Sequence, residues 1–342
     1  MRAFITGIAG PQLSDAERAF LREAQPWGLI IFKRNIGDPD TLRRLTGDFR
    51  ATVGWDAPVL IDQEGGRVQR MGPPFWSKYP AAAAYGELYD RDPAAGLAAA
   101  KLGARLIAAD LVEVGIDVDC MPVADVPVAG ADAVIGDRAF GKQPDKVAAL
   151  AGAFAEGLAD GGVLPVLKHI PGHGRATADS HQKLPVVTAD RPTLEATDFA
   201  AFRPLVGLPL AMTAHVVFTA IDAVAPATTS AAIVRDVIRG SIGYQGLLMS
   251  DDISMGALRG SLGERTRSAI SAGCDLVLHC NGEMDEMLAV SAAAPQLEGE
   301  AARRATAALA SKKPAVPIDL AAKRAEFFAL IGEVWEPARG SV

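Results

Sequence analysis

A single-domain (β/α)8 barrel of the TIM type is the fold this sequence predicts, and three observations predict it. Eight short, near-continuously apolar runs recur along the 342 residues, the pattern expected of parallel strands covered on both faces. Helix-like segments separate them, and strand alternating with helix eight times closes into a barrel that takes ~250 residues before loop insertions. The GxGxxG turn typical of the competing arrangement, a doubly wound open sheet, is missing after the first run.

The elements follow in order. AFITGI, from Ala3, precedes SDAERAFLREA, where Ser14 and Glu17 have the spacing of a capping box. GLIIF from Gly28 and PVLID from Pro58 are the second and third runs, and IDVDC from Ile116 is the fourth. Before that fourth run, DPAAGLAAAKLGARLIAADLVEVG starts with Pro93 just inside a helix and ends at Gly115. VLPVLK from Val163 and PLAMTA from Pro209 come next, followed by a helix expected from the N-cap candidate Ser230 to a terminal Gly240. GLLMS from Gly246 and CDLVLH from Cys274 complete the eight. From about residue 297 a helical extension is expected, with AAKRAEFFALIGEVW as a terminal helix on the outside of the barrel. Pro314, Pro317 and the polar stretch before that helix would not make a second core, so residues 1–342 read as one domain.

Composition narrows the class. An apolar content of 49% fits a globular chain, and a formal net charge of −7 repels a polyphosphate backbone. No basic run with interleaved aromatics offsets that charge, so nucleic acid is not an expected partner. No apolar run reaches the ~18 residues of a membrane span, and Gly7, Gly10 and Pro11 break the N-terminal stretch before it could serve as a signal core. A cytoplasmic protein that needs no membrane is the expectation. Cys120, Cys274 and Cys280 lie in or beside apolar runs without CxxC spacing, as buried thiols in a reducing compartment would.

Polar residues gather where the runs end, the face on which a barrel collects side chains from several strands around one axis. Asp62, the pair Lys168 and His169, His215, the pair Asp251 and Asp252, and His279 all fall there. Long loops after the third, fourth and fifth runs carry Arg67, Arg70, Arg138 and the stretch KHIPGHGRATADSHQKLP, residues 168–185, with three of the five histidines. His169 and His173 have the spacing of a helical zinc pair, but Pro171, Gly172 and Gly174 argue against a helix through them. The first run also has no HxH pair of the kind metal-dependent amidohydrolase barrels carry, so no metal is expected. Proton transfer fits better, because a carboxylate beside a histidine fixes its tautomer and stabilises its cation. In Asp179-Ser180-His181, alternate residues of an extended segment can present Asp179 and His181 on one side. The nucleophile wanted beside them is one of Asp251 and Asp252, the other being a helix N-cap; sequence physics alone leaves that choice open.

LIDQEGGRVQRM, GIDVDCMPVADV, VIGDRAFG, KHIPGHGRATADSH, AMTAHVVF and GYQGLLMSDDISM resemble, in that order, the motifs of glycoside hydrolase family 3. They are most similar to its single-domain β-N-acetylglucosaminidases of bacterial peptidoglycan recycling. The resemblance spans roughly residues 3 to 282. It implies Asp251 as nucleophile, His181 paired with Asp179 as general acid/base, and sugar contacts from Asp62, Arg138, Lys168 and His169, to which we add Arg70 from the same loop. Two departures stand out: Ile170 where the family usually has Phe, and Arg175 after GHG where a small polar or acidic residue is common.

The function implied is that of a retaining, exo-acting β-N-acetylhexosaminidase without metal or organic cofactor, acting as a monomer. Its implied substrate is a peptidoglycan-derived amino sugar, N-acetylglucosaminyl-1,6-anhydro-N-acetylmuramic acid and its peptide-bearing forms. The rival expectations are a glycoside phosphorylase, which would release a sugar 1-phosphate, and a silent sugar-binding barrel.

Overall fold

Each of the eight apolar runs contributes one strand in the computed structural model, which describes residues 1–180 and 183–335. The strands are β1 (Arg2–Thr6), β2 (Pro26–Ile31), β3 (Val59–Ile61), β4 (Val118–Asp119), β5 (Leu164–Ile170), β6 (Leu210–Thr213), β7 (Leu247–Asp252) and β8 (Leu276–His279). Neighbours pair in parallel in sequence order, and β1 pairs β8 to close the barrel. Alternate side chains divide between two cores. Ile5, Ile30, Leu60, Val166, Met212, Met249 and Leu278 fill the interior, whereas Phe4, Leu29, Val59, Leu167, Ala211, Leu248 and Val277 join the layer beneath the helices. Both faces are therefore apolar, which is why the strands read as unbroken runs.

The helices around the strands begin with α1 (Asp15–Ala24), where the Ser14 and Glu17 capping box forms. α2 (Pro39–Val53), α3 (Ala82–Arg91) and α4 (Pro93–Glu113) follow, and α4 is capped by the Asp92 side chain. α5 (Pro144–Asp160) and the short α6 (Arg191–Ala196) flank β5. After β6 the chain winds as a π-helix over Ile233–Ile242, with Ser230 accepting from the Ile233 N–H at its start. It runs past the expected stop at Gly240 and ends at Gly243, which has φ +88°. Gly243, not Gly240, takes the left-handed turn that frees a helix end. α7 (Leu262–Ala272) and α8 (Met284–Ala293) complete the ring.

The extension differs from the single outer helix expected. α9 (Gly299–Ala310) places Ala305 and Ala308 in the inner core beside Ala3, Trp27 and Leu164, so it covers the N-terminal end of the barrel. α10 (Leu320–Ile331) does pack outside, burying Phe327 and Ile331 against α3 and α4. Closing the base with α9 leaves the C-terminal end as the open one, where the βα loops meet. The three cysteines are buried and unpaired. Among the described residues no helix is long and apolar enough to cross a membrane.

Candidate active site

At the C-terminal ends of the strands lies a cavity of about 370 Å³. It is lined by Asp62 from the end of β3, Lys168 and His169 from β5, Asp251 and Asp252 from β7, and Arg70 and Arg138 from loops. Asp179 lines it from the loop after β5, while His181 lies outside the described residues. Lys168 continues the inward set Leu164, Val166 of β5. The register of β5 against β6 then skips between Lys168 and Ile170, which breaks the alternation, and His169 also reaches the cavity. The register of β7 against β8 likewise shifts between Met249 and Asp252, and both aspartates face the opening.

The charged residues form one network. Lys168 Nζ donates to Asp62 Oδ1 at 3.0 Å, and Arg70 donates to Asp62 Oδ2 at 2.8 Å. Lys168 Nζ also lies 2.6 Å from Glu64 Oε1, and Arg138 grips both oxygens of Glu64 through Nε and Nη2 at 2.9 and 2.8 Å. Burial alone would push the Asp62 carboxyl up, but Lys168 and Arg70 hold it far below the usual carboxylate range. Glu64 is likewise opposed by burial, and Arg138 and Lys168 bring it down to about 2. Three cations facing two anions leave this wall of the cavity with a positive excess. Glu64 was not singled out in the sequence, although it stands two places after Asp62 in the same motif.

A second cluster holds the histidines of the β5 loop. Asp125, fully buried, takes the His169 Nδ1 on one oxygen at 2.7 Å and the His173 backbone N–H on the other at 2.6 Å. That hydrogen bond commits Nδ1 of His169 to Asp125 and leaves Nε2 for the cavity. Asp125 too went unassigned in the sequence, since an aspartate after β4 reads equally well as a loop cap. The segment from His169 to His173 is no helix: Pro171 and Gly172 turn it, and Gly174 passes so close to Val126 that a Cβ there would sit 2.3 Å from its carbonyl. Ile170 is fully buried, consistent with a repacked strand end. Arg175 donates to Asp198 Oδ2 and Thr197 Oγ1, both at 2.9 Å, and so pins the base of the loop on the residues that follow α6 rather than lining the cavity.

The two aspartates of β7 separate by their bonds. Asp252 accepts from Ser254 N–H at 3.0 Å, Ser254 Oγ at 2.6 Å and Cys280 N–H at 3.2 Å, as a loop-capping residue does. Asp251 accepts from the Asp252 N–H at 2.8 Å. Burial would raise its carboxyl, but His215, His169, that N–H and Lys168 together hold it below its ordinary range, so it is an anion at neutral pH. An ionised carboxylate held at the open end of the barrel can attack an electrophilic carbon.

Two of the strand-end residues do not line the cavity. His215 is wholly buried between Thr228 Oγ1 at 2.7 Å and the Asp252 carbonyl at 2.9 Å, so it acts on the β7 end from behind. His279 turns toward α8 and meets Glu286 Oε2 at 2.9 Å. A polar residue at a strand end points inward or outward according to the pleat, and one displaced register reverses it.

Comparisons with known proteins bear on this geometry. Residues 4–309 match the model of the glycosyl hydrolase family 3 N-terminal domain. The chain is 42% identical over 279 residues to a β-hexosaminidase of Alkalilimnicola ehrlichii, covering 80% of this chain and 79% of its relative. It superposes on NagZ from Neisseria gonorrhoeae, solved with N-trifluoroacetyl-D-glucosamine, with a TM-score of 0.84 and 32% identity over 97% of this chain and 96% of that one. A family 3 β-N-acetylglucosaminidase from Paenibacillus sp. FPU-7 gives a TM-score of 0.85 at 27% identity; this chain is covered to 97% and spans 66% of that longer protein.

Proposed function

The chain belongs to glycosyl hydrolase family 3 and is a β-N-acetylhexosaminidase, and from that premise we propose that it is a retaining exo-β-N-acetylglucosaminidase of cell-wall recycling. Its substrates on this reading are peptidoglycan fragments with a terminal non-reducing N-acetylglucosamine, N-acetylglucosaminyl-1,6-anhydro-N-acetylmuramic acid and its peptide forms, met in the cytoplasm by a monomer. The observation that carries the reading is the ionised Asp251, which stands in one cavity with Asp62, Arg70, Arg138, Lys168 and His169.

In the first step an Asp251 oxygen attacks the anomeric carbon as the bond to the leaving oxygen breaks, and His181, as the imidazolium, gives that oxygen its proton. The products are a glycosyl ester of Asp251 and the free aglycone. In the second step neutral His181 takes a proton from water, whose oxygen attacks the anomeric carbon and displaces Asp251, restoring the starting configuration. Asp179 orients the imidazole and favours its cation. Asp62, Arg70, Arg138, Lys168 and His169 bind the sugar hydroxyls. Because salt bridges fix these side chains before substrate arrives, their contacts can strengthen as the ring flattens toward the transition state.

The test is to trap the covalent intermediate with a slow fluoro-sugar and sequence the labelled peptide. Label on Asp251 supports the reading. Label on Asp252 or on another carboxylate overturns it.

A further inference from the structure

Ser180, the residue before His181, is buried at 3% exposure and lines the cavity. His173 Nε2 meets its Oγ at 3.1 Å. Its carbonyl accepts the N–H of Ala257 at 3.1 Å, and Ala257 belongs to the loop that leaves β7 just after Asp251 and Asp252. His173 is itself fixed, since its backbone N–H donates to Asp125. The same loop is held on its other side, where Gly174 and Ala176 carbonyls accept from Val128 and Asp132 N–H groups. A chain of short bonds therefore runs from Asp125 through His173 and Ser180 to the loop of the proposed nucleophile.

A serine hydroxyl on a buried histidine inside a ligand cavity also has the outline of a nucleophile and its base. Among the described residues the third member of such a set is missing, because Asp125 binds the backbone of His173 and not its ring, and no described residue partners Nδ1. Burial, together with the neighbouring His169, lowers the His173 imidazole to about 4, which makes it a weak base and leaves it neutral at working pH.

We propose that the bond between His173 and Ser180 is a latch that closes the β5 loop on itself, while the Ser180 carbonyl on Ala257 holds that loop against the β7 loop, and that the latch sets where His181 meets the leaving oxygen. His173 is then a positioning residue for proton donation. The proposal rests on the reading of His181 as acid/base. Hydrolysis of an activated leaving group needs little protonation, whereas that of a basic one needs it in full, so misplacement of the donor separates the two. Loss of the catalytic power of an acid by small displacement is on the order of tenfold to a hundredfold.

The experiment measures kcat/KM for His173→Ala, Ser180→Ala, the double variant, His173→Gln and His181→Ala on two aryl β-N-acetylglucosaminides, one with a dinitrophenol and one with a methoxyphenol leaving group. The expected result is a loss of roughly tenfold or more on the methoxyphenyl substrate with little loss on the dinitrophenyl one, for His173→Ala and Ser180→Ala alike. The double variant should be no worse than either single one, and His173→Gln, whose amide can reach Ser180, should recover most of the rate. Equal losses on both substrates, or none in Ser180→Ala, overturn the latch while the acid/base reading stands, provided His181→Ala shows the split. If His181→Ala shows no split either, the acid/base reading falls and takes the latch with it.

Discussion

Lys168 Nζ lies 2.6 Å from Glu64 Oε1 with both side chains almost wholly buried, at 2% and 3% exposure. Two charges so far from water are tolerable only as a pair, and Arg138 completes the shell of Glu64. Glu64→Gln removes the anion and leaves Lys168 and Arg138 facing each other across a neutral amide. The expected cost is about 3–5 kcal/mol, read as a fall in the denaturation midpoint at pH 7. The sign of the pH dependence follows from Glu64 itself. Its carboxyl is lowered from 4.5 to about 2, so its contribution is present above pH 4.5 and is lost as pH falls toward 2. The gap in stability between wild type and Glu64→Gln should therefore shrink across that window; a constant gap would contradict the assignment.

The bonds of the β7 aspartates predict opposite outcomes for two equal-looking substitutions. Asp251→Asn should reduce turnover by on the order of a thousandfold or more while sugar binding persists, because an amide is a poor nucleophile of the same shape. Asp252→Asn keeps one acceptor oxygen for the Ser254 and Cys280 donors and loses the other. It should cost about 1–3 kcal/mol of stability and far less turnover. Steady-state kinetics and denaturant titration of the two variants check both halves.

How much of this could be read from the sequence depends on how local each signal is. The eight strands were legible because a parallel barrel covers both faces of every strand, so Leu164, Val166 and Leu167 stand together as an apolar run. Asp62, Lys168, His169 and the pair Asp251 and Asp252 were legible because each breaks such a run at its C-terminal end, although only the resemblance to family 3 distinguished Asp251 from its neighbour. Glu64 and Asp125 were not, since their meaning comes from partners such as Arg138 and His173, 74 and 48 residues away. Strand register misled at His215 and His279, where position along the strand suggested the cavity and the side chains turn from it. Gly240 misled in another way: a glycine near a helix end usually marks the cap, but here the wider π winding carried the chain to Gly243.

α10 lies beyond the segment matched to the family, and we propose that it is part of the single domain rather than a dispensable tail. Arg324 donates to Asp110 at 2.6 Å and to Tyr79 Oη at 3.1 Å, while Asp110 also accepts from Tyr79 at 2.8 Å. Burial raises the Asp110 carboxyl despite these partners. Arg324→Ala leaves that carboxylate without its cation and should lower stability by about 3 kcal/mol. The cavity is formed by other elements, so kcat/KM at 25 °C should be unchanged. A chain cut before α10 that melts like wild type would show the helix to be an appendage.

Asp119 ends β4 close enough to the charged network to feel Lys168, Asp62 and Glu64. It is fully buried; one oxygen accepts the Gln63 N–H at 3.0 Å and Oδ2 has no partner among the described residues. Burial pushes its carboxyl up to about 8, against the lowering effect of the Gln63 N–H and Lys168. The folded state thus holds a proton that the unfolded chain has released above pH 3.8, and the linkage sign is the reverse of that for Glu64. The contribution of Asp119 is full below pH 3.8 and is lost progressively as pH rises to about 8, by up to about 1.4 kcal/mol per pH unit within that window. Asp119→Asn keeps the acceptor for Gln63 and cannot ionise. Its stability relative to wild type should therefore climb between pH 4 and pH 8 and level off above, as measured by denaturant unfolding at each pH. A flat difference across that range would mean that Asp119 is already ionised at low pH, held by Lys168 as a third anion of the network.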